Sequence, residues 1–98
     1  MMDKREEKDN FSHEVIIKNL LGIHVRPAAK IADLAGKAKK NVWICSGSTR
    51  VDAGSIIDIL SLGAGRGTRV VIEIESIEDI YILELIKNLI NSRFGEAE

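Results

Sequence analysis

This chain of 98 residues holds a single proline, and Pro27 dictates the backbone where most residues only bias it. The pyrrolidine ring fixes φ at about −65° and removes the N–H, which suits the first turn of a helix and breaks a helix from within. Pro27 follows Gly22-Ile23-His24-Val25-Arg26 and precedes Ala28-Ala29-Lys30-Ile31-Ala32. The pattern predicts a helix from Pro27 to about Lys37. Ala28, Ile31, Ala32, Leu34 and Ala35 form its apolar stripe, and Lys30, Asp33 and Lys37 fall outside the stripe. His24 and Val25 then lie just outside the helix or at its mouth, where the first N–H groups have no intrahelical partner and the dipole favours anions. Arg26 adds a planar fork suited to phosphate. A histidine there is placed to carry or meet a phosphoryl group, with Gly22 and Pro27 setting the backbone. The plainer readings are a capping or surface histidine and a solvated arginine. The residues alone do not give a direction of transfer.

The remaining chain reads as an alternation of short elements. Glu14–Lys18 is a β-branched strand. Val42–Ser46 is a second, Gly47-Ser48 a hairpin turn, and Thr49–Val51 the start of the return strand. A short helix is expected over Ser55–Leu62, with Ser55 as N-cap and Gly63 as its stop. Arg69–Glu75 is a fourth strand with Val70, Ile72 and Ile74 on one side. A last helix opens at Ser76 or at Glu78-Asp79 and runs to about Arg93. The order β-α-β-β-α-β-α predicts an α+β fold in which helices cover one face of an antiparallel sheet. Residues 1–12 read as a flexible charged extension, 13–94 as the domain and 95–98 as a tail.

Bulk properties narrow the function classes. With 45% hydrophobic residues, 30% charged residues and a formal net charge of −1, the chain is ordinary for one globular domain and lacks the basic stripe of a nucleic-acid binder. One cysteine excludes an internal disulfide, and one cysteine with two unpaired histidines supports no metal site. Met1–Asn10 has no apolar core of a secretory signal, and no apolar run approaches the ~18 residues of a membrane span. A cytoplasmic protein without membrane insertion is expected. Gly63-Ala64-Gly65-Arg66-Gly67 lacks the Gly-Lys-Ser/Thr ending of a phosphate loop and follows a helix, so no nucleotide cofactor is expected.

A second segment, Val51-Asp52-Ala53-Gly54-Ser55-Ile56-Ile57-Asp58-Ile59-Leu60-Ser61-Leu62-Gly63, joins the first motif. Together, in order and at the right spacing, they resemble the histidine-containing phosphocarrier protein (HPr) family of the phosphoenolpyruvate:sugar phosphotransferase system, from about Glu14 to Asn91. The resemblance implies an open-faced β-sandwich, a four-stranded antiparallel sheet with three helices on one face. It also implies that His24 takes a phosphoryl group on Nδ1 from phospho-enzyme I and yields it to an enzyme IIA. Arg26 and the first helix amides, Val25 among them, would hold the phosphoryl oxygens. Such a carrier is a substrate of phosphotransferases, has no turnover of its own, and is expected to be a monomer.

The same resemblance gives Ser55 a regulatory role, as the serine that an HPr kinase/phosphorylase modifies in Gram-positive-type relatives, although Gly54 replaces the lysine commonly found before it. A plain N-cap is the other reading of Ser55. Ile57 and Leu60 match docking positions and share a helical face, while Ile56, Ile59 and Leu62 are expected to point inward. Relatives often surround this docking patch with lysine, whereas this chain has Asp33 and Asp58 on the two helices, which implies a less acidic partner or slower association than for basic relatives. An alternative from a different class is an HPr-like interaction module in nitrogen or carbon-catabolite signalling. His13 reads as structural or solvated and Cys45 as an inert strand residue. Alternation puts Trp43, Cys45, Ile16 and Val71 on the uncovered sheet face, as an apolar cluster suited to self-association or to cover by the N-terminal extension.

Overall fold

The computed structural model describes residues 11–98. Its elements are β1 (Ser12–Ile16), α1 (Val25–Ala35), β2 (Val42–Ser46), β3 (Thr49–Asp52), α2 (Ile56–Ser61), β4 (Arg69–Ile74) and α3 (Ile80–Asn91), with 3-10 turns at Ile77–Asp79 and Arg93–Gly95. The strands form one sheet in the order β1-β4-β2-β3, and every neighbouring pair is antiparallel. Register sets Val15 opposite Val70, Ile44 opposite both Ile72 and Val51, and Val42 opposite Ile74. One sheet face therefore presents a continuous β-branched surface to the helices. Ala28, Ile31 and Ala35 of α1, Ile59 of α2 and Leu83, Ile86 and Ile90 of α3 pack into that core. Each fully buried Ile or Leu contributes roughly 1.5–3 kcal/mol of transfer free energy. The expected α+β architecture is the one found.

Boundaries differ for local reasons. The first strand begins at Ser12 and ends at Ile16 rather than spanning Glu14–Lys18. Ile17 leaves the ladder because its backbone bonds the turn instead: its N–H donates to Thr68 O (3.0 Å) and its carbonyl accepts from Gly67 N (2.7 Å). α1 starts two residues before Pro27, which thereby takes the third helical position. The N–H at that position is also without an intrahelical acceptor, so proline is tolerated throughout the first turn. The helix ends at Ala35, where tight bonds from Lys37 N to Leu34 O and from Ala38 N to Ala35 O replace a further α-turn.

The uncovered sheet face corrects one expectation. Trp43, Cys45, Ile16 and Val71 do lie away from the fully buried positions of their strands, but they do not form a bare apolar cluster. The Arg50 guanidinium sits 4.2 Å from the Trp43 ring centroid, and the indole N–H donates to Glu75 Oε1 (3.1 Å). Cys45 Sγ donates to Glu73 Oε1 (3.0 Å), and Glu73 pairs with Arg50 at 3.8 Å. Charged neighbours across the ladder cover the aromatic and the thiol with cation–π contact and hydrogen bonds, so the face is amphipathic. Burial, with the Glu73 hydrogen bond and charge adding to it against Arg50, pushes the Cys45 thiol up to about 11. The thiol therefore stays protonated and unreactive at neutral pH, as an inert strand residue should. Of the extension expected over residues 1–12, residues 1–10 lie outside the described residues, whereas Phe11 O accepts from Ile74 N (2.8 Å) and Ser12 opens β1, so these two belong to the sheet.

Asp79 fastens the far end of α1. Its carboxylate is 3% exposed and accepts from Lys39 N (2.8 Å) and Lys40 N (2.9 Å), closing the α1–β2 connection onto the start of α3. Two hydrogen bonds to one ionised acceptor exceed what the exposed Lys39–Glu78 pair nearby contributes. Asp79→Ala is expected to cost about 2–3 kcal/mol, read as a lowered denaturant midpoint with an unchanged slope.

Candidate functional site

His24 is the N-cap of α1, with extended backbone (φ −89°, ψ −169°), and its carbonyl accepts the first intrahelical bond, from Ala28 N (3.0 Å). Its side chain makes no capping bond, and the first turn of α1 carries no acidic residue. The N–H groups of Val25 and Arg26 precede that first bond, and Pro27 contributes none, so the helix mouth presents two backbone donors beside an imidazole. Arg26 is exposed and Val25 is 62% exposed. Gly22 lies behind them, buried and left-handed at φ +68°, and its carbonyl accepts from Asn19 Nδ2 (2.7 Å).

The chain end completes the site. His24 Nε2 lies 2.8 Å from Glu96 Oε2, and the two side chains are 35% and 17% exposed. Glu96 Oε1 accepts from Asn19 Nδ2 (2.9 Å). The Asn19 hydrogen bond, then the bond and positive charge of His24 and the charge of Arg26, hold the Glu96 carboxyl below the usual carboxylate range against the opposing effect of burial. A depressed carboxylate pKa stabilises the fold above its unfolded value, so this contact is intact at neutral pH and is released as pH falls through the lowered value. Leu20, Leu21, His24, Arg26 and residues 96–98 line a shallow depression of about 430 Å³. A separate depression of about 350 Å³ at the other end of α1, lined by Lys39, Lys40, Asp52 and Glu75, contains neither the histidine nor the arginine.

A matching family model, described as the PTS HPr component phosphorylation site, covers residues 11–92. The chain belongs to the HPr family. It is 33% identical over 82 residues to phosphocarrier protein HPr of Neisseria meningitidis serogroup A, covering 84% of this chain and 92% of that protein. It is 35% identical over 85 residues to phosphocarrier protein HPr of Cupriavidus necator, covering 87% and 96%. Among solved structures, HPr-C-His from Thermoanaerobacter tengcongensis matches at a TM-score of 0.83 and 33% identity, over 89% of this chain and 98% of that one. The family's open-faced α+β architecture, with a four-stranded antiparallel sheet and three helices, is therefore that of this chain.

The HPr motif residues divide by position. His24, Val25 and Arg26 are brought to one helix mouth, while Pro27 is buried in the helix and Gly22 sits behind it. Ser55 caps α2, its hydroxyl accepting from Asp58 N (3.2 Å). The docking pair splits: Ile57 is 79% exposed, whereas Leu60 is half-buried against the core. Ile56, expected to point inward, is 38% exposed. α2 has only six residues, and Ile59 alone in it is buried, so the first turn stays on the surface. Asp33 pairs with Lys37 at 3.6 Å one turn on, which partly neutralises the acidic position on α1. His13 lies 3.4 Å from Glu84 on α3.

Sequence reasoning missed Asn19, Glu96 and the exposed pair Leu20 and Leu21, which are 51% and 70% exposed beside His24. Two leucines just before Gly22 were a readable signal for an apolar rim. Nothing local in Gly95-Glu96-Ala97-Glu98 announces a return to the histidine.

Proposed function

We infer that His24 is the phosphoryl acceptor of this HPr-family chain, charged by a phospho-enzyme I and discharged to an enzyme IIA. The observation that carries this reading is a part-exposed imidazole at an uncapped helix start, with Arg26 beside it and a carboxylate on its Nε2. Neutral imidazole is nucleophilic near physiological pH, and phosphoryl transfer needs chiefly positioning and charge stabilisation from the protein. The Val25 and Arg26 amides and the Arg26 guanidinium supply positive potential where three phosphoryl oxygens arrive. The chain is then a substrate in both half-reactions, with no turnover of its own, and works in the cytoplasm as a monomer. Leu20, Leu21, Val25 and Ile57 give partners an apolar surface to dock on.

Ser55 serves α2 as a cap, and regulatory phosphorylation there gains no separate support. Its hydroxyl is already engaged by Asp58 N, and Asp52 and Asp58 lie within three residues. A dianion added there meets like charge. To test the carrier reading, the chain is incubated with phosphoenolpyruvate, Mg²⁺ and its cognate enzyme I, then analysed by intact mass and peptide mapping. One acid-labile phosphate on the peptide holding His24 is expected. An acid-stable phosphate on Ser55 instead, or none at all, would overturn it.

A further inference from the structure

Acidic side chains in this fold are nearly all committed within the chain. Among the described residues, every side-chain carboxylate but those of Asp58 and Glu98 has an ion pair or a hydrogen bond. Asp33, the other acidic position near the docking helices, is already answered by Lys37 at 3.6 Å.

Both exceptions stand at the apolar surface beside His24. Asp58 follows Ile57, the most exposed of the large hydrophobic residues. α2 is six residues, about 9 Å long, and Ala64 O in the loop after it accepts from Ile23 N (2.9 Å), one residue before His24. Ile57 and Asp58 thus lie within roughly 20 Å of the imidazole, inside the reach of one interface of ~800 Å² per partner. Glu98 lies on the other side, exposed in the depression shared by Leu20, Leu21 and His24, and its backbone oxygen accepts from Leu20 N (2.9 Å).

A carboxylate in water needs no partner, but a protein that covers Ile57 or Leu20 also strips water from the acid beside it. An uncompensated charge is costly to desolvate, and an acidic or purely apolar surface leaves the cost unmet. Lysine or arginine on the other side meets it. Arg26 cannot serve both ends, because the phosphoryl oxygens claim it. We propose that the enzyme I that docks on this surface presents basic side chains opposite Asp58 and Glu98, so that the two carboxylates select the phosphotransferase that charges His24. The proposal rests on His24 being the phosphoryl carrier.

Phosphoryl transfer from the cognate enzyme I, followed across a salt series, provides the test. With the parent chain, kcat/KM should fall about tenfold between low salt and about 0.5 M, as screening removes the attraction. At low salt, Asp58→Asn and Glu98→Gln should each raise KM about threefold with kcat unchanged, and Asp58→Lys about thirtyfold. Neither side chain has an internal partner to lose, so the variants should fold. The deficits of the two neutral variants should vanish at high salt. Glu78→Gln makes the same change in net charge at the far end of α1 and should match the parent chain. A parent rate that ignores salt or rises with it, or neutral variants as fast as the parent, overturns the basic partner. An equal loss in Glu78→Gln overturns it too, by making the effect one of net charge alone. A parent chain that takes no acid-labile phosphate on His24 at any salt overturns instead the carrier reading beneath it.

Discussion

His24→Ala is expected to fold and to accept no phosphoryl group at all. Folding survives because the side chain does nothing for the helix it caps: no capping bond leaves it, and alanine adopts the extended backbone found there. Its side-chain partner among the described residues, Glu96, keeps the hydrogen bond from Asn19. Function is lost because no other imidazole is placed to substitute. His13 is engaged with Glu84 across the β1–α3 interface, on a strand and not at a helix mouth. Arg26→Ala should behave differently. It keeps the nucleophile and the backbone donors but loses one charged clamp, and charging is expected to slow by about ten- to a hundredfold. Transfer of labelled phosphate from phosphoenolpyruvate, alongside circular dichroism of both variants, separates these outcomes. Acid-labile label on a folded His24→Ala chain would place the carrier elsewhere.

The parts of this site that could be read in advance are those whose cause is local. Pro27 and the stripe of Ala28, Ile31 and Ala35 announce a helix start and its buried face within a few residues. The β-branched runs around Val15, Ile44 and Ile72 announce strands in the same way. Errors of two residues at the ends of β1 and α1 arise where tertiary bonds, such as Ile17 to Thr68 and Gly67, override local preference. Glu96 and Asn19 were not legible because their roles depend on a chain reversal through Arg93 and Phe94, residues that locally disfavour positive φ. The burial of Phe94 and the bond from Lys30 Nζ to its carbonyl (2.8 Å) hold that reversal, and both are properties of the whole fold. The open sheet face failed for a related reason. Alternation places Trp43 and Cys45 on it correctly, but their cover comes from Arg50, Glu73 and Glu75 on neighbouring strands or just beyond them.

Gly22→Ala should lower stability by about 3 kcal/mol, far more than an alanine at another left-handed glycine of the same chain. Positive φ alone costs roughly 1–2 kcal/mol for an L residue, and Gly63 at φ +59° isolates that cost, because a Cβ there would meet nothing within 4 Å. At Gly22, φ +68° is similar, but an added Cβ would lie 2.6 Å from Ala64 O and 2.7 Å from Gly65 Cα. Both are backbone atoms, so relief requires the 64–65 loop to move, adding an overpacking cost of about 1–3 kcal/mol. That loop also accepts from Ile23 N through Ala64 O (2.9 Å), one residue before His24. Relief of the clash therefore shifts the segment that sets the imidazole against the helix mouth. Denaturant unfolding of the two variants should rank Gly22→Ala well below Gly63→Ala. Phosphoryl acceptance by the molecules still folded should fall only for Gly22→Ala. Equal losses at the two positions would mean that the close approach to Ala64 and Gly65 relaxes freely and does not hold the site.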